Sequence, residues 1–570
     1  MNTNRRQRFF LGLLFAMLAR LGGAEVPAWS ADLGDGTFKN PVLHADYSDP
    51  DVVRVGSDYW MVSSSFGHVP ALPILHSTDL VNWTLVAHAL PRLVPEPAFA
   101  TPQHGKGVWA PAIRHHAGKF WIYYPDPDFG IYLVTAPDPR GPWSPPVLVK
   151  GGRGLIDPCP LWDDDGRVYL IHAWARSRSG VANALTLLEL DAGGARVIDD
   201  FGYLINGDKL PGYTTLEGPK LLKRHGWYYV FAPAGGVTEG WQSVFRSRSI
   251  RGPFENRIVL AKGESLINGP HQGALVDTPA GESWFLHFQD KLAYGRVVHL
   301  QPVRWENDWP LMGTSVATGA PTGEPVLVHA KPPGEPATLA VPATSDEFDS
   351  ATLALQWQWQ ANPRADWYSL TAQPGKLRLY GQPAPKLGNI YDAPWLLLQK
   401  FPAPEFSVTT KLEFAPKADG DNAGLLVFGA DYAWIGLQQI NGSPAIVSVT
   451  RREAANGEPQ QVMAVPGLAA GPVWLRVTVT ADGKCRFSYS HDGRDFTSVA
   501  AEGFTAKAGR WVGAKAGVFT SGAVGVSADF DWFHVEPVAK SDQSRQVRTD
   551  HVSGKIIPFA AIRLMSEHAP

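Results

Sequence analysis

From about residue 32 to residue 310 the chain is a succession of short apolar runs, broken by turn signals such as Val55-Gly56-Ser57, Asp163-Asp164-Asp165-Gly166 and Pro279-Ala280-Gly281. Apolar positions do not recur at helical spacing over any long stretch, so the pattern predicts strand after strand. Residues 214–231, TTLEGPKLLKRHGWYYVF, set the unit: a single glutamate at the head, an extended run, a turn at His225-Gly226 and an aromatic second strand. That is a β-hairpin with a carboxylate at its entrance. Asp49, Trp109, Asp157 and His271 head four further copies, and successive heads lie 60, 48, 60 and 54 residues apart. Such spacing is that of propeller blades, whose equivalent positions share a ring around one axis. HSTDLVNW, TAPDPRGPW and RSRSIRGPF read as outer strands running into turns that an aromatic caps.

After the fifth copy the chain turns Pro-, Gly- and Ala-rich, a composition that cannot build a core and predicts a semi-extended linker. A second set of alternating segments follows, including 376–380, 406–414, 423–428, 473–480 and 517–520, which suits a two-sheet sandwich. The expected divisions are an export signal over 1–31, a propeller over 32–318, a linker over 319–344, a sandwich over 345–537 and a tail over 538–570. The signal rests on Arg5, Arg6 and Arg8, an apolar core and the small residues Gly22-Gly23-Ala24. The apolar run is too short to span a membrane, and no later segment is a candidate. The paired arginines suit twin-arginine export, but Arg8 stands where that signal wants an apolar residue, so general secretion stays open. A periplasmic or secreted protein is expected.

The 570 residues exceed one ordinary core. With 51 Lys and Arg against 54 Asp and Glu, and no basic block, nothing suggests a nucleic acid or an anionic membrane as partner. The 57 Gly, 48 Pro and 21 Trp fit a turn-rich β protein; most of the tryptophans read as core, and some are free to stack on sugars. Cys159 and Cys485 fall in different predicted domains, which argues against a disulfide, zinc or iron–sulfur framework. The DDDG run at 163–166 lacks the later ligands of an EF-hand and reads as a hairpin turn, and His115-His116 as a solvated pair. The acidic ends of the sandwich, DEFD and ADFDWF, could meet at neighbouring strands as a calcium site or as a solvated acidic edge.

The ring carries the chemistry. Taken singly, Asp-Pro and Glu-Gly-Pro are turn punctuation. At equivalent heads of three repeats they become three acids around one cavity. Asp157 and Glu217 fall on adjacent blades, so like charge is expected to raise the proton affinity of Glu217, leaving it able to donate to a leaving oxygen. Asp49, further off, would stay ionised and take a proton from water. Two carboxyls about 6.5–9.5 Å apart, with a water between, describe inversion at a sugar carbon.

The motifs YSDPDV, WAPAI, IDPCPLWDDDGRVYL, LEGPKLL, GPHQGALVDT and YGRVVHLQPV together resemble glycoside hydrolase family 43, over nearly the whole predicted mature chain. The resemblance is to exo-acting β-xylosidases and α-L-arabinofuranosidases with a C-terminal sandwich. It implies an all-β protein, a five-bladed β-propeller followed by a concanavalin-like β-sandwich. It further implies Asp49 as general base, Asp157 as the acid that tunes and positions its neighbour, and Glu217 as general acid. Trp109 and Phe66 would line the pocket, Arg296 would contact a sugar hydroxyl, and His271 would help hold a hydrated divalent cation, commonly calcium. No organic cofactor is implied. From the residues alone His271 is equally a hydrogen-bonded core histidine, and Arg296 an internal ion-pair partner.

The expected activity is release of terminal pentose from xylan- or arabinan-derived oligosaccharides. An endo-arabinanase or exo-galactanase of the same fold, and a non-catalytic carbohydrate-binding propeller, are the alternatives. The sandwich is expected to pack on the propeller, with one of its loops a candidate for narrowing the pocket.

Overall fold

The structure is a computed structural model that describes residues 27–538 apart from 316, 318, 336, 384, 386–387, 466–470 and 500–502. Most of the expected export signal and nearly all of the tail lie outside the described residues.

Five blades follow one another in chain order, each built from four antiparallel strands added in sequence from the axis outwards, and two later strands widen the fourth sheet to six. Their innermost strands are Asp51–Val55, Ala112–His116, Leu155–Trp162, Lys220–Arg224 and His271–Asp277. Each blade is covered on both faces, which is why its middle strands read as continuous apolar runs rather than alternating ones. Val62, Ile74 and Leu90 of the first blade meet Ile113, Ile122 and Val134 of the second. Tyr229, Phe231 and Val244 of the fourth meet Phe285, Trp309 and Met312 of the fifth. The ring closes through Val52, Met61 and Leu75 against Ala274, Trp284 and Leu286. The five-bladed propeller expected from the repeat is the fold observed.

Beneath the ring the blades are also tied by charge. Asp51, fully buried, accepts from Arg114 Nη1 and the Ile113 amide at 2.7 Å each, and lies 3.5 Å from Lys220 Nζ, joining three blades. Asp163, in the DDDG turn, accepts from Tyr228 Oη at 2.6 Å and from Lys223, so that hairpin turn also clasps the next blade.

The stretch 319–344 lies on the propeller: Gly323–Glu324 extends the fourth blade, and Val328–Ala330 pairs with Thr37–Lys39. The sandwich has one seven-stranded and one eight-stranded sheet around a core that includes Trp357, Phe406, Leu425, Val477 and Phe530. Its acidic ends do meet, through the Asp346–Phe533 bridge. Glu347 and Asp349 are exposed, and the carboxylates are paired with cations, Asp529 with Arg378, Asp531 with Lys411 and Glu347 with His534; among the described residues they do not gather as a metal cage. Cys159 and Cys485 are both buried and free.

The two domains are hydrogen-bonded together at several points. Val69 and Trp359 exchange backbone bonds of 3.0 and 2.6 Å, the Ala514 amide donates to Ala293 at 2.7 Å, and Tyr294 Oη donates to Pro404 and Thr480 at 2.8 Å each. Ala293, Tyr294 and Val297 of the fifth blade belong to the sandwich core. This anchoring fixes the approach of sandwich loops to the propeller axis.

Candidate active site

All three acids open into one pocket of about 710 Å³ at the axial end of the inner strands, a volume within the range of ligand cavities. Asp49 and Asp157 both sit at positive φ, 55° and 56°, where non-glycine residues carry strain. Asp157 lies at a bulge between Ile156 and Cys159 that turns its side chain to the axis. Glu217 is placed just before its strand, its amide bonded to the Pro233 carbonyl at 3.2 Å.

The three carboxyls have different surroundings. Asp49 meets donors only: Ser48 Oγ at 2.9 Å, Ser64 Oγ at 2.5 Å and Arg296 Nη1 at 3.0 Å. Among the described residues Asp157 accepts one bond, from the Gly218 amide at 2.8 Å. Burial, and then the charge of Glu217, push its carboxyl up to about 8. The sequence put the raised proton affinity on Glu217; the structure puts a raised affinity on Asp157, because desolvation is the largest cause and acts on the deeper group. The Glu217 side chain is about one-quarter exposed and faces His271, with Oε1 3.0 Å from Nε2.

Asp157 therefore destabilises the fold as pH rises. It keeps its proton in the folded state up to about pH 8, whereas the unfolded chain releases it near the ordinary aspartate value of 3.8, so stability is lost progressively across that window. Asp157→Asn, which preserves an acceptor for Gly218, should lack this loss. The difference in melting temperature, variant minus wild type, is expected to grow between pH 5 and pH 8; a difference constant with pH would contradict it.

His271 makes the hydrogen bond that one of its two readings expects. Nε2 is engaged by Glu217, and Nδ1 is buried without a partner. Among the described residues no three His, Cys, Asp or Glu side chains come together to hold a metal. Hard cations take oxygen ligands, so the donor set does not fit a cation bound directly by the protein. Arg296 clamps Asp49 and Ser48, with its guanidinium 4.7 Å from the Phe288 ring, and it also lines the pocket. Both of its readings, ion pair and pocket wall, describe the same side chain.

Phe66 and Trp109 line the pocket as expected, 6.2 Å apart between ring centroids. Trp511 closes the same end. This sandwich residue lies at φ 67°, packs edge-on to Trp109 at 6.2 Å and sits 5.6 Å from the Arg296 guanidinium. Its loop is pinned by the Gly513 amide, which donates to Asp46 Oδ2 at 2.8 Å, while Asp46 Oδ1 accepts from the Arg296 amide. The sequence offered a sandwich loop but no residue in it; only the turn-like flanks of RWVG marked Trp511. Trp174, Arg176, Asn183, Tyr213 and Gln272 also line the pocket and carried no repeat signal.

A closed propeller with three carboxylates facing one sugar-sized cavity walled by aromatics is the architecture of a glycoside hydrolase. Residues 38–310 match the family model described as glycosyl hydrolases family 43, and residues 345–536 match the beta xylosidase C-terminal concanavalin A-like domain. The chain is 38% identical over 500 residues to a putative beta-xylosidase of Xylanibacter ruminicola, covering 87% of this chain and 88% of the relative. It is 28% identical over 536 residues to the non-reducing end alpha-L-arabinofuranosidase BoGH43B of Bacteroides ovatus, covering 89% and 96%. The crystal structure of the GH43 BlXynB protein from Bacillus licheniformis matches with a TM-score of 0.76 at 28% identity, over 88% of this chain and all of that one. The protein belongs to glycoside hydrolase family 43.

Proposed function

We propose that the protein is an exported, inverting exo-glycosidase that removes terminal pentose, as β-1,4-xylosidase, α-L-arabinofuranosidase or both, from xylan- or arabinan-derived oligosaccharides. The reading is carried by an aromatic cluster in the pocket: Phe66, Trp109 and Trp511 pack in series beside Arg296 and the Asp49 it holds, which suits one terminal sugar ring. Trp174, Asn183 and Tyr213 line the same cavity and would meet the leaving sugar.

Glu217 gives a proton to the glycosidic oxygen as the bond to the anomeric carbon breaks. Asp49 takes a proton from the water that attacks the opposite face, so the product has the other anomeric configuration. His271 holds Oε1 of Glu217, and among the described residues no hydrogen bond occupies Oε2, which is the oxygen left for the substrate. Asp157, keeping its own proton, orients the loop of its neighbour through Gly218.

The names of the relatives favour pentose, and the charged start of the chain favours export. A calcium ion reached through water at the unpartnered Nδ1 of His271 also belongs to the proposal; metal content before and after chelation tests it. Proton NMR of the first product from defined xylo- and arabino-oligosaccharides tests the reaction, with linear arabinan as the endo control. Retention of configuration, or internal cleavage, would overturn it.

Trp511 should matter to binding. Trp511 is 41% exposed, leaving a face for a sugar ring. Trp511→Ala is expected to lower kcat/KM about tenfold, mostly through KM, as loss of roughly 1.4 kcal/mol of apolar contact requires. Unchanged kinetics on an aryl pentoside would remove this wall from the site.

A further inference from the structure

Two lysines face one another at the seam between the domains. Lys400 and Lys515 are directly opposed across an antiparallel pair, so their side chains leave the sheet on the same face, an arrangement of like charges that costs stability. Lys515 is only 2% exposed. Among the described residues no carboxylate forms an ion pair with either ammonium. The nearby acid, Asp46, has both oxygens engaged by the amides of Arg296 and Gly513.

Lys515 lines a small cavity together with His68, His104 and Arg510; of these His104 is already paired, with Asp392 Oδ1 3.2 Å from its Nε2. His68 Nδ1 is buried and unpartnered. The rest of the wall is largely glycine, aromatic ring and amide. The cavity measures about 20 Å³, where one water needs about 10–15 Å³, so it admits a single water or a monatomic ion. A buried cation with no carboxylate beside it is costly, and an anion in this cavity would offset that cost.

We propose that this seam cavity is a binding site for one small inorganic anion of halide size, chloride in practice, held by Lys515 with His68 beside it. Without a guest, burial and the facing Lys400 pull the Lys515 ammonium down to about 7, and a bound anion restores its charge. The site is coupled to the active-site pocket because Phe66 lines both cavities. Gly513, two residues before Lys515 and two after Trp511, is another wall of the seam cavity. Occupancy thus braces two aromatic walls of the sugar pocket from behind.

The probes are sodium chloride and sodium bromide, against sodium methanesulfonate at matched ionic strength, on the whole protein at pH 7. Halide at ten times its dissociation constant is expected to raise the melting temperature of the whole protein by about 1 °C and to lower KM at constant kcat. Lys515→Met should abolish both halide effects. A crystal grown in bromide should give an anomalous peak beside Lys515 Nζ, a readout that holds even if the variant folds poorly. A water at that position in bromide, or a halide response unchanged in Lys515→Met, would overturn the proposal.

Discussion

Glu217→Gln is expected to lower kcat/KM on a xylo- or arabino-oligosaccharide by roughly 10²–10⁴, the span that a positioned general acid contributes. On an aryl pentoside whose phenol leaves unaided, the loss should be far smaller, because no proton need be given. The geometry makes this a clean substitution. The Glu217 amide is bonded to Pro233, and the Gly218 amide to Asp157, whatever side chain stands between them. Glutamine keeps an oxygen for the 3.0 Å contact with His271, whose ring is fixed by the pairing of its strand with Phe288. The substitution also removes the second cause of the raised proton affinity of Asp157, so that group should titrate below about 8 in the variant. Equal losses on activated and unactivated substrates would take the acid role away from Glu217.

How much of this was legible before the coordinates depends on whether the signal is local. A blade announces itself within one hairpin: head residue, strand, turn, aromatic strand. Five such units close a ring, and ring closure alone puts Asp49, Asp157 and Glu217 into one cavity. The turn at 163–166 and the five heads were readable for that reason. Trp511 was not, because a loop residue reaches another domain's pocket only through contacts between chain segments hundreds of residues apart, such as Gly513 with Asp46. The same holds for Asp51. In YSDPDV it stands two positions from Asp49 and looks like part of the same site, yet it is fully buried and ties Arg114 and Lys220 beneath the pocket. Proton affinities were the least legible. Proximity of Asp157 to Glu217 followed from blade order, but which carboxyl is deeper is a matter of a few ångströms of side-chain placement.

The clamp on Asp49 gives the other large effect, and it separates catalysis from stability. Asp49→Asn should lower kcat/KM by roughly 10²–10⁴ on activated and unactivated substrates alike, since the attacking water loses its base whichever group leaves. Unlike Glu217→Gln, it should also lower the melting temperature. The Arg296 guanidinium is about nine-tenths buried and its ion-pair partner is Asp49, so neutralising the acid strands a buried charge at a cost on the order of 3–5 kcal/mol. Adding Arg296→Gln removes that charge and should restore much of the melting temperature while leaving activity lost. If restoring the melting temperature also restored turnover, Asp49 would be a structural partner of Arg296 and the base would have to be sought elsewhere along the pocket wall.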